Sequence, residues 1–119
     1  MLDHKQIQND LERRLGKFGY YHASCTEFSV QGTKGEMDDY GVKLRERRIV
    51  VIEVKGKDTD NNRAKAYHQL RKDALLIDRL YFDFFPLEVS FFYAHSSKNM
   101  KRGYDVERVY IKWKKKHRI

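Results

Sequence analysis

Glu53-Val54-Lys55 closes the most apolar run of this 119-residue chain, Ile49-Val50-Val51-Ile52. Side chains alternate along a strand, so Glu53 and Lys55 share a face about 6–7 Å apart while Val54 points to the other side. Two charges on one face of a covered strand are costly unless something pairs with them. A partner stands upstream. Glu36 and Asp38 are also two apart, at the start of the preceding strand, and the charged turn Arg45-Glu46-Arg47-Arg48 joins that strand to the next. Neighbouring strands run about 4.8 Å apart, which lets Asp38 and Glu53 meet across the hairpin. Two carboxylates at that range repel, and each shifts the other's pKa. A divalent cation between them removes the conflict, and hard oxygen ligands select Mg²⁺, with Mn²⁺ as a substitute. Such an ion polarises a phosphoryl group and lowers the pKa of a bound water. Lys55 then stands where an amine orients that water or stabilises developing charge. The plainer reading of the same residues is an ion pair at a strand end.

The elements that would hold these residues follow from periodicity. Ile7, Leu11, Leu15 and Phe18 form one apolar stripe, which predicts a helix over 2–18 ended by Gly16 and Gly19. Tyr20 to Val30 has strand composition, Gln31 to Gly35 reads as a turn, and Glu36 to Leu44 reads as a second strand. Ile49 to Lys55, apolar on both faces, suits a central covered strand. Asp60 or Asn61 caps a second helix running to about Leu80, with Ala66, Leu70, Ala74 and Ile77 as its buried face. Leu87 to Ala94 is a fourth strand, and the alternation of Tyr104 to Trp113 predicts an extra C-terminal strand. The order is α-β-β-β-α-β-β. It predicts an α/β domain over 1–119, a central mixed sheet flanked by helices.

Gly35-Glu36-Met37-Asp38 followed by Ile49-Val50-Val51-Ile52-Glu53-Val54-Lys55 resembles the PD-(D/E)xK nuclease superfamily, whose core is an α-β-β-β-α-β unit with a restriction-endonuclease-like fold. Met37 departs from the proline of the family's name. In size and layout the chain is most similar to small archaeal-type Holliday-junction resolvases. The resemblance implies that Asp38, Glu53 and the Val54 carbonyl ligate Mg²⁺ and that Lys55 is the catalytic lysine. It also implies a metal role for Glu12 on the first helix and a catalytic role for Gln69 on the second. The residues themselves speak less strongly for these two. Glu12 only neighbours an apolar stripe, and Gln69 lies one position off the Ala66–Leu70 face. Glu36 is a further candidate for a supporting contact.

Charge points the same way. The chain carries +8, and 98–119 hold nine Lys/Arg against two Asp/Glu. A basic end on a near-neutral body suits a nucleic-acid partner or serves as a solubilising tail. Lys112 to Arg118 interleave Trp113 with cations, and Lys57, Arg63 and Lys65 flank the expected site. One cysteine, Cys25, excludes an internal disulfide and a CxxC metal site. The five histidines show no HExxH or HxxxH spacing, and no P-loop or dinucleotide glycine pattern is present, so no nucleotide cofactor is expected. Asp58-x-Asp60-x-Asn62 opens like an EF-hand but has Arg63 and Gln69 where the loop needs Gly and Glu, and reads as a helix cap. No apolar run is long enough to span a membrane and no signal peptide is apparent, so a cytoplasmic location is expected. The expectation is thus a Mg²⁺-dependent endonuclease acting on DNA. A branched substrate and a homodimer would suit it, with the aromatics of Tyr81 to Phe85 as weak support for an interface. The rivals are an inactive nucleic-acid-binding protein of the same fold and a metal-free RNA-cutting enzyme.

Overall fold

A computed structural model describes residues 2–30, 33–84, 86–97 and 102–112; at 23–30, 33–36, 38 and 82 it describes the backbone alone. Helix α1 spans His4–Lys17. Its entry is fixed by a reciprocal cap: the Gln6 amide N–H donates to Asp3 Oδ1 at 2.9 Å, and the Asp3 N–H donates to Gln6 Oε1 at 2.9 Å. The chain leaves α1 through Gly19, whose φ of 83° lies in the left-handed region that favours glycine.

Strands β1 (Tyr21–Val30) and β2 (Thr33–Lys43) form an antiparallel hairpin. A 3₁₀ turn over Leu44–Glu46 leads to antiparallel β3 (Arg48–Lys55). Helix α2 (Asp60–Leu80) crosses over to β4 (Glu88–Ser96), which runs parallel to β3. Antiparallel β5 (Tyr104–Val109) completes a five-stranded mixed sheet in the order β1-β2-β3-β4-β5. The predicted element order holds. The cap of α2 is a correction: Thr59, not Asp60 or Asn61, takes the Asn62 N–H on its hydroxyl at 3.1 Å.

The helices sit on opposite faces of the sheet. Ala66, Leu70, Ala74 and Ile77 of α2 pack with Ile49, Val51, Phe91 and Tyr93. Ile7 and Leu11 of α1 pack with Ile52, Val54, Ala94 and Tyr104. Odd residues of β3 therefore feed one core and even residues the other, which is why its apolar run is continuous. Tyr104 also reaches α1 by its hydroxyl, which donates to Asp10 Oδ2 at 2.6 Å. Among the described residues no helix is long and apolar enough to cross a membrane.

Candidate functional site

The end of β3 carries Glu53 and Lys55 on the α2 face, in phase with Ile49 and Val51. Their charged ends lie 3.8 Å apart. Glu53 is 5% exposed, while the Lys55 side chain keeps 27% of its surface. Val54 is fully buried in the opposite core, as alternation requires.

Sheet pairing extends this polar end sideways. Parallel β3–β4 register sets Tyr93 beside Glu53 and His95 beside Lys55. Antiparallel β4–β5 register sets Glu107 beside Tyr93 and Asp105 beside His95. Paired residues share a face, so the ends of three strands carry a polar row beyond the apolar core. The loop after β3 and the first turn of α2 add Asp58 and Arg63. Tyr93 donates its hydroxyl to Asp58 Oδ1 at 3.0 Å, and Arg63 Nη2 donates to Asp58 Oδ2 and to Glu107 Oε2, each at 2.8 Å. His95 Nε2 stands 2.8 Å from Glu107 Oε2 and 3.7 Å from Asp58 Oδ2. Its Nδ1 faces the Ser96 carbonyl at 3.0 Å. One ligand atom from each of Asp58, His95 and Glu107 falls within 4.8 Å of the others, so this cluster can hold a metal ion.

Electrostatics keep both carboxylates ionised. The Arg63 guanidinium holds the Asp58 carboxyl below its usual range against the opposing pull of burial, and the Tyr93 hydroxyl helps. Arg63 does the same for Glu107, assisted by His95. Glu107 and Asp58 in turn raise the Arg63 pKa. Burial raises the Tyr93 hydroxyl, and the Asp58 charge adds to it.

The sequence-predicted residues divide. Glu53 and Lys55 come together as expected. Asp38 lies on β2, one residue before Asp39, which pairs with Ile52; its side chain is outside the described residues, as are those of Glu36 and Cys25. Met37 and Tyr40, three apart, both join the α2-side core, so simple alternation is interrupted between them. Asp39 is fully buried, and its Oδ1 meets His22 Nε2 at 2.8 Å. Glu12 is not brought to the Glu53 face. It sits on α1, across the sheet, with 62% of its side chain exposed and its Oε1 3.9 Å from His22 Nδ1. Gln69 turns along its own helix and donates to Asp73 Oδ1 at 2.9 Å. Trp113 and the lysines after it lie outside the described residues.

No local spacing marks Tyr93, His95 or Glu107 as site residues; in the sequence Asp58 reads only as part of a helix cap, and Arg63 as a flanking cation rather than a hub. Metal-ligand spacing rules detect ligands close in sequence, whereas these residues meet through β4–β5 register. The one available signal was His95 at the end of an apolar strand, two residues after Tyr93. Comparison with known protein families and with curated sequences returns no match.

Proposed function

We propose that this chain is a Mg²⁺-dependent endonuclease of the PD-(D/E)xK type, hydrolysing phosphodiester bonds in DNA. The observation that carries the reading is the Glu53–Lys55 pair: a carboxylate 5% exposed with an amine 3.8 Å away, at the end of a doubly covered strand. A buried hard-oxygen donor fits Mg²⁺. Asp38, the residue of β2 next to the Asp39–Ile52 pair, is the second carboxylate of the proposal. The bound cation would supply polarisation of the phosphoryl group and acidification of a water. Glu53 would fix the position of positive charge at the strand end. Lys55, partly exposed beside it, would orient the attacking water and offset charge developing on the phosphate. Lys57 follows β3 in the chain and would steer the anionic backbone toward it. Glu12 and Gln69, engaged elsewhere in the structure, are not needed for this reading.

The test is a substrate panel of linear duplex, single strand, flap, four-way junction and RNA, each with Mg²⁺ and with EDTA. Cleavage of DNA that EDTA stops is the expected result, and preference for the junction would support a branched substrate and a homodimer. Lys55→Ala and Glu53→Gln should each reduce cleavage by roughly 10²–10³-fold while duplex binding persists. Cleavage undiminished in both variants would refute the assignment. DNA binding without cleavage under any condition would leave an inert binder of the same architecture.

A further inference from the structure

We propose that Asp58, His95 and Glu107 form a second cation site, selective for a borderline transition ion such as Zn²⁺, for which the Arg63 guanidinium is the competing occupant. Three observations converge on it. The first is donor chemistry: one imidazole and two carboxylates within 4.8 Å of one another. A mixed nitrogen and oxygen set favours Zn²⁺ over Mg²⁺, which prefers oxygen ligands and retained water.

The second is the orientation of His95, which is 7% exposed. Its Nδ1 faces the Ser96 carbonyl at 3.0 Å, an acceptor that orients the ring. A backbone carbonyl on one ring nitrogen is the usual outer partner of a metal-binding histidine, whose other nitrogen then presents its lone pair. Here that second nitrogen, Nε2, points at Glu107 Oε2 (2.8 Å) and Asp58 Oδ2 (3.7 Å). A cation seated at that nitrogen would be shared by both anionic oxygens, with the imidazole as its third ligand.

The third is charge balance. Asp58 and Glu107 supply two negative charges, and Arg63 Nη2, 2.8 Å from each, returns one. A divalent ion held by Asp58 Oδ2, Glu107 Oε2 and His95 Nε2 neutralises the pair completely. Ligand atoms around a tetrahedral zinc lie roughly 3.4 Å apart, so the cluster closes by small side-chain rotations once Arg63 withdraws. Arg63 has 34% of its side-chain surface exposed and can leave toward solvent. Three protein ligands leave the fourth position open to water or an anionic group.

Isothermal titration of the full chain with Zn²⁺ tests the proposal. One ion should bind the wild-type protein, and Glu53→Gln should leave that binding in place, which separates this site from the proposed nuclease site. His95→Gln and Glu107→Gln should each weaken it by roughly 100-fold or more. Glu107 lies on β5 with 40% of its side chain exposed, so that variant retains the fold even where the buried histidine does not tolerate replacement. Arg63→Gln should tighten binding by about tenfold or more, because it removes the competing cation. Absence of Zn²⁺ binding to the wild type, binding untouched by Glu107→Gln, or weaker binding after Arg63→Gln would each overturn the proposal.

Discussion

At the scale of single residues, charge is stabilised by direct partners. Asp10 illustrates how this sets a pH response. Burial pulls its carboxyl upward, but hydrogen bonds from Tyr104, Arg14 and Arg13 outweigh that pull and hold it well below the ordinary 3.8. A depressed folded-state pKa stabilises the fold above the unfolded value, and that contribution is lost as pH falls below it. The Asp10 contacts should therefore contribute fully at pH 5 and fade from about pH 4 downward. Asp10→Asn should cost about 1–2 kcal/mol at pH 5, and the difference in melting temperature from wild type should shrink toward pH 2. A constant difference across that range would mean that the pair contributes nothing through ionisation. The Tyr104 hydroxyl, pushed up to about 12 by burial and then by Asp10, remains a donor throughout.

At the scale of elements, α2 stabilises the sheet through one stripe. Leu70 is fully buried against β3 and β4, whereas Leu75 on the same helix is 46% exposed. Leu70→Ala should destabilise the fold by about 2–5 kcal/mol, and Leu75→Ala by under about 0.5 kcal/mol, as read from urea midpoints. Thr59 closes the N-terminus of α2 directly beside Asp58. Thr59→Ala should cost about 1 kcal/mol and loosen the Asp58 end of the polar cluster as well. If the cost appears without any change in Zn²⁺ affinity, cap and cluster are independent.

At the scale of the whole molecule, net charge governs encounter with an anionic polymer. With +8 overall, binding to duplex DNA should weaken as salt rises, with a log–log slope of about −0.9 for each phosphate neutralised. Residues 113–119 contribute four Lys/Arg, so their deletion should flatten the slope by up to about 3 to 4. A slope near zero in the full chain would remove nucleic acid as the partner.

The sequence by itself determined the elements and their order, because helix and strand periodicities are local properties of the chain. It also determined that Glu53 and Lys55 share a face, since alternation within one strand requires no tertiary information. The unbroken apolar run of β3 announced helices on both faces, and the structure has them. Tertiary structure decided which helix covers which face. That placed Glu12 across the sheet from Glu53 and left Gln69 bonded within its own helix. It also assembled Asp58, Arg63, His95 and Glu107 from three separate stretches of chain. Their meeting depends on the parallel β3–β4 crossover and the β4–β5 register, which are long-range pairings chosen by the packing of the whole sheet. No local spacing encodes such a pairing, so the cluster became visible only once the strands were set side by side.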